Sequence, residues 1–128
     1  MKKVYFVKAT HLNVGIKGEN IAVQFLKNKG YDILFTRWRY KHKEIDIIAK
    51  QEDFLVFVEV KTRSSDYFSQ PEDSVHRAKQ QFLAEAAEAF ITEYNDFKEI
   101  RFDIISIIIK QNEFSVYHIE NAFYPINE

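Results

Sequence analysis

The sequence predicts an α/β protein, a mixed sheet flanked by two helices in the order α-β-β-β-α-β-β. Two stretches carry apolar residues at helical spacing, five are rich in aromatic and β-branched residues, and short polar connections join neighbouring strands. Its 128 residues suit one domain, 1–128, long enough to bury a real core.

The first helix is "NVGIKGENIAVQFLKNKG", where Ile21, Ala22, Phe25 and Leu26 form one apolar stripe. Asn13 is placed to cap its start, and Gly30 to stop it just beyond Lys29. Glu19 lies about 90° around the helix from the stripe, at 3.6 residues per turn, so it flanks the core. "YDILFTRWRY" and "HKEIDIIAK" read as strands, and "QED" makes a tight connection to "FLVFVEVKTR". That third strand is nearly continuously apolar, as a central strand covered on both faces should be. A polar loop ending at Pro71 follows, with Asp73 or Ser74 placed to cap a long second helix. The helix carries Val75, Ala78, Phe82, Ala86, Ala89 and Phe90 at roughly helical spacing. "IRFDIISIIIK" and "EFSVYHIENAF" complete the sheet through a short "QNE" turn.

Composition narrows the classes. The absence of cysteine excludes disulfides and thiolate metal sites. The N-terminal stretch lacks the apolar core of a signal peptide, and no apolar run approaches membrane-spanning length, so a cytoplasmic protein with no membrane partner is expected. Net charge is −1, but it is unevenly spread. Residues 1–63 hold 13 Lys and Arg against 7 Asp and Glu, and residues 64–128 hold 5 against 12. A basic half is one footprint of a polyanion partner; it is equally what folding would mix in space.

Ionisable residues inside the apolar strands point to chemistry. Strand alternation puts Leu55, Phe57, Glu59 and Lys61 on one face, and Glu44, Asp46 and Ile48 on one face of the preceding strand. A hairpin through "QED" then makes Asp46 and Glu59 neighbours near one end of the sheet. Two carboxylates in a core repel and cost desolvation, and a divalent cation relieves both, since carboxylates are hard oxygen ligands for Mg²⁺ or Mn²⁺. Lys61 is no ligand when protonated, but its ammonium can hold a phosphate oxygen or an attacking water. An Asp, a Glu and a Lys around a metal suit phosphodiester hydrolysis. Glu19 adds a third carboxylate if the first helix packs beside the site. The competing reading is a structural ion pair of Lys61 with Glu59 or Asp46 at a strand end, and for a bare Glu-x-Lys it is the better one.

The pieces "GIKGENIAVQFLKNKGYDIL", "RWR", "EIDIIA", "VFVEVKTR", the helix bearing Lys79, "RFDII" and "IENAF" resemble, over nearly the whole chain after residue 14, the YraN-like family of small bacterial proteins. Those are regarded as predicted endonucleases of the PD-(D/E)XK superfamily, distantly similar to archaeal Holliday-junction resolvases. The resemblance implies a restriction-endonuclease-like core. It implies Asp46 and Glu59 as metal ligands, Lys61 as the catalytic lysine and Glu19 as the accessory carboxylate and third ligand. Mg²⁺ or Mn²⁺ is the implied cofactor and DNA, branched or structured, the implied substrate. Cutting both strands of a junction would require a symmetric homodimer, though no segment advertises its interface. One departure stands out: the family has Gly immediately before Glu-Ile-Asp, and here it is Lys43. If that position needs a positive φ, lysine is costly there.

Around this centre Arg37, Arg39, Lys41 and Lys43 form a basic cluster next to Asp46, and Arg63 and Lys79 follow; all six are candidate contacts to nucleic acid. Trp38 fits the core better than a base-stacking role, the four histidines have no metal-ligand spacing, and Arg101 with Asp103 reads as a structural salt bridge. Two rivals remain beside the nuclease: a nucleic-acid-binding module with little or no cleavage, and a scaffold whose charges form structural pairs.

Overall fold

A computed structural model describes residues 2–8, 14–64, 76–95, 99–111 and 113–124. The elements run β1 (Lys2–Lys8), α1 (Val14–Asn28), β2 (Asp32–Tyr40), β3 (Lys43–Gln51), β4 (Phe54–Ser64), α2 (Arg77–Glu93), β5 (Glu99–Lys110) and β6 (Glu113–Ile119). The six strands among the described residues form one mixed sheet in the order β1-β6-β5-β4-β3-β2. Only β4 and β5 are parallel, and α2 makes the crossover between them. No described helix is long and apolar enough to cross a membrane.

The expected order lacks β1. This strand lies antiparallel to β6, with Lys2 opposite Ile119 and Lys8 opposite Glu113. Its partner is over a hundred residues away, and the first residues carry no local turn signal that would mark them as half of a pair.

Each face of the sheet has its own core. On one, α1 lays Ala22 and Leu26 against Ile47, Ala49, Val56, Val58, Ile105 and Ile107, with Ile21 and Phe25 packed alongside, so the predicted stripe is the buried one. On the other, α2 buries Leu83, Ala86, Ala87 and Phe90 over Ile45, Ile48, Leu55, Phe57 and Ile104. Ala78, expected in that stripe, is exposed. The apolar row turns by a residue because Leu83 and Ala87, not Ala78, face the sheet. The expected caps Asn13, Asp73 and Ser74, and Val75, lie outside the described residues. β4 is central, with both faces covered, as its apolar run requires.

α1 ends as its sequence dictates. Gly30 takes φ +92, and the N–H groups of Tyr31 and Gly30 bond to the carbonyls of Leu26 and Lys27, closing the last turn. At its other end Gly18 is buried against Thr62 of β4; a Cβ there would overlap Thr62 Oγ1. This close approach seats α1 directly on the C-terminal half of β4. Gly18→Ala is therefore expected to cost about 1–3 kcal/mol, as overpacking against a stiff β-branched neighbour does. Thermal melts of Gly18→Ala and of the Gly18→Ala/Thr62→Ala pair check it: the single variant melts lower and the pair recovers most of the loss.

Candidate active site

The site forms where β3 and β4 part. Their ladder runs from Gln51↔Phe54 to Ile47↔Val58 and stops there. The next residue of β3 is Asp46, and its side chain takes over: Asp46 Oδ2 accepts the Val60 N–H at 2.8 Å. The pleat slips at the same place. Ile45 and Ile48 both bury on the α2 side, whereas Ile47 and Ala49 bury on the α1 side. Simple alternation, which gave Asp46 and Ile48 a common face, fails here. Asp46 sits in the parting between the strands instead of on a face.

β4 keeps its alternation. Leu55 and Phe57 pack beneath α2, so Glu59 and Lys61, two and four residues further on, lie on that side. Glu59 is buried at 6 % exposure, with an ammonium at each carboxylate oxygen: Lys61 Nζ is 3.6 Å from Oε2 and Lys79 Nζ of α2 is 3.5 Å from Oε1. Burial, and then the charge of Glu59, push the Asp46 carboxyl up to about 6, against the pull of the Val60 N–H and Lys79. The negative charge of Glu59 thus adds to burial in opposing ionisation of Asp46, a penalty that a divalent cation beside Asp46 would relieve.

Glu19 stands apart from this pair. It projects from α1 and pairs with Arg37 of β2 at 3.1 Å, although its charge still reaches Asp46. Among the described residues no three Asp, Glu, His or Cys side chains converge tightly enough to hold a metal ion. Asp46 and Glu59 nonetheless offer the donor set that Mg²⁺ takes from a protein, one or two carboxylates with water completing the shell. These residues fit a hard divalent cation held by two side chains.

The basic cluster is dispersed over β2 and its turn. Arg37 is exposed and adopts φ +51, opposite the break at Asp46. Arg39 pairs with Glu44 at 3.8 Å and Lys41 with Glu85 at 3.8 Å, both on exposed side chains. Lys43 is the first residue of β3 and has no positive φ; the left-handed residue of that turn is Lys41, at φ +57. Lysine at this position therefore carries no backbone strain. Its ammonium lies over the Phe82 ring of α2, 5.4 Å from the centroid. Trp38 packs edge-on to Phe90 at 5.3 Å and stacks beside Tyr40, a core role. Arg63 is half-buried near the end of β4, two residues past Lys61.

Two features have no counterpart in the sequence reading of the site. Ser106 of β5 is the register partner of Lys61; it is fully buried and its hydroxyl has no hydrogen-bond partner. The only hint was one polar residue inside "IISIII". A buried network also lies on the α1 side of the sheet. Asp103 accepts bonds from Arg101 Nε and Nη2 at 2.9 Å each, from His118 Nε2 at 2.7 Å and from the Asn121 N–H at 3.0 Å. Lys29 Nζ, which has only donors, sits 2.7 Å from His118 Nδ1, leaving Nε2 to carry the ring proton. Burial alone would raise Asp103, yet the bonds from His118 and Arg101 hold its carboxyl below the usual carboxylate range. Burial pushes the Tyr31 phenol up to about 12, and its oxygen accepts a bond from Arg101. The expected Arg101–Asp103 pair is present, inside a larger structure that also takes in His118, one of the four histidines without metal-ligand spacing.

The sequence model of uncharacterised protein family UPF0102 matches residues 18–107. That span runs from within α1 through most of β5 and contains every candidate catalytic residue. The chain is 47% identical over 116 residues to a UPF0102 protein of Flavobacterium psychrophilum, covering 91% of this chain and 98% of that one. It is 44% identical over 112 residues to a UPF0102 protein of Parabacteroides distasonis, with 88% and 93% covered. A UPF0102 protein of Thermodesulfovibrio yellowstonii is 43% identical over 113 residues, with 88% and 97% covered.

Proposed function

The chain belongs to uncharacterised protein family UPF0102. For this member we propose a divalent-metal-dependent endonuclease of the PD-(D/E)XK type, hydrolysing phosphodiester bonds in DNA, branched DNA included. The observation that carries this reading is the meeting of Asp46 and Glu59 where β3 and β4 part, with Lys61 on the second carboxylate. An α/β sheet with a helix on each face supports it as well. Such an enzyme acts in the cytoplasm, and two copies would be needed to cut both strands of a junction.

A bound Mg²⁺ or Mn²⁺ would supply Lewis-acid polarisation of the phosphoryl oxygen and lower the pKa of a coordinated water. Asp46 and Glu59 are the residues to hold it. Val60 N–H keeps the Asp46 carboxylate aimed into the parting. The Lys61 ammonium, beside Glu59, is in position to meet charge developing on the phosphate. Arg37, Arg39, Lys41, Lys43 and Arg63 serve as contacts to the flanking backbone, giving binding a salt dependence.

A binding-only module is the second reading, and one observation favours it: the acids already have basic partners, Glu59 with two lysines and Glu19 with Arg37. Incubating the protein with linear duplex, flap and four-way-junction DNA in Mg²⁺ or Mn²⁺ separates the two. The nuclease gives cleavage that EDTA stops and Lys61→Ala removes. Salt-sensitive retention without cleavage hands the site to the binding module, and neither result leaves only a scaffold.

A further inference from the structure

By sequence Lys79, on the opening turn of a helix, reads equally as a phosphate contact or as part of a solvated helix face. Its ammonium lies instead 3.5 Å from Glu59 Oε1, and Lys61 stands 3.6 Å from Oε2. Two lysines from two different elements thus divide one buried carboxylate. Lys79 is 25 % exposed, its ammonium also rests 5.7 Å from the centre of the Phe82 ring, and its charge reaches Asp46.

We propose that Lys79 is a second lysine of the nuclease centre: it shares Glu59 in the free protein and passes to a substrate phosphate when a divalent cation takes its place on that carboxylate. The inference rests on the nuclease reading. An ammonium and a divalent cation on the same side of one carboxylate repel strongly in a partly dry site. Lysine is a compact charge on a flexible four-carbon stem, and in the first turn of α2 it can swing without disturbing the helix. The anion that arrives with the cation is the phosphodiester, so the displaced ammonium has one new partner. Cation binding and phosphate binding are then coupled through a single side chain, and the coupling is reciprocal. Lys61, on the strand itself, keeps its place beside the other oxygen.

Titration of the full-length protein with Mn²⁺ alone tests this, using the wild type, Lys79→Met, Lys79→Arg and, as a control on charge far along α1, Lys27→Met. Lys79→Met should bind Mn²⁺ tighter by about 3–10-fold, the effect of removing one nearby positive charge in a partly screened site. Lys79→Arg should stay near the wild type and Lys27→Met should be unchanged. Retention of a four-way junction with phosphorothioate linkages gives the second readout. Lys79→Met should weaken it about threefold or more in Mn²⁺, and leave it unchanged in EDTA. Unaltered or weaker Mn²⁺ binding by Lys79→Met overturns the proposal. So does an equal loss of junction binding with and without Mn²⁺, which would make Lys79 an ordinary phosphate contact. If the wild type binds no Mn²⁺, the metal-nuclease reading itself fails, and this inference with it.

Discussion

Asp46→Asn is expected to cut the proposed cleavage sharply and to make the protein harder to melt. The asparagine amide oxygen still accepts the Val60 N–H, so the local backbone keeps its anchor. What disappears is a buried negative charge facing Glu59. The Asp46 carboxyl is pushed up to about 6 by burial and by Glu59, well above its unfolded value. A raised acid binds its proton more tightly when folded, so stability falls as pH rises from about 4 through about 6. Above that range the full penalty is present, on the order of 1–3 kcal/mol for a shift of this size. In EDTA at pH 8, Asp46→Asn should therefore melt several degrees above the wild type, and at pH 4 the two should nearly coincide. If Asp46 holds the metal as proposed, the same variant in Mg²⁺ should lose about 10²–10³-fold or more in turnover. Thermal melts at the two pH values and a cleavage assay read both arms. A lower melting temperature at pH 8 would mean that Asp46 is there for structure.

Asp103→Ala is expected to do the reverse, with a loss of about 3–5 kcal/mol, the cost of breaking a buried ion pair from one side. Asp103 is fully buried and receives four bonds from Arg101, His118 and Asn121. Without it the largely buried Arg101 guanidinium keeps Gln51, Tyr31 and the more distant Glu120, while His118 Nε2 loses its acceptor. Denaturant titration at neutral pH measures the loss. The acid limb gives a second check with its own sign. Asp103 is held below the usual range, so its contribution is complete above the unfolded carboxylate pKa and fades as pH falls through the lower folded value. The wild type should hold its advantage over Asp103→Ala at pH 5 and lose it only in stronger acid. An Asp103→Ala protein within about 1 kcal/mol of the wild type would show that Arg101 and His118 find water or other partners at little cost.

Much of this architecture is legible in local pattern. The stripe of α1, its glycine stop, the central position of β4 and the face shared by Glu59 with Leu55 and Phe57 all follow from spacing within one element. What is not legible depends on how elements meet. β1 is a strand only because β6 lies beside it. Asp46 leaves the alternation because β3 and β4 diverge after Ile47, and nothing in "EIDII" records a divergence. Lys79 reaches Glu59 because α2 crosses the sheet there; its helical position alone served equally well for a phosphate contact or a solvated face. The network around Asp103 draws on the turn after α1, on β5 and on β6, so its histidine has no sequence neighbour to betray it. The position of Glu19 on the flank of α1 is legible in helical spacing, whereas its pairing with Arg37 depends on how β2 lies against that helix.

The bond from Val60 to Asp46 has a consequence of its own. Most amides in the middle of a sheet are tied to carbonyls, whose grip is the same at every pH and in every buffer. This one is tied to a carboxyl pushed up to about 6, which gains and loses its proton within the ordinary working range of pH. A single backbone resonance in the heart of β4 thus registers the state of the carboxylate pair, as a built-in gauge that needs neither substrate nor label on the nucleic acid.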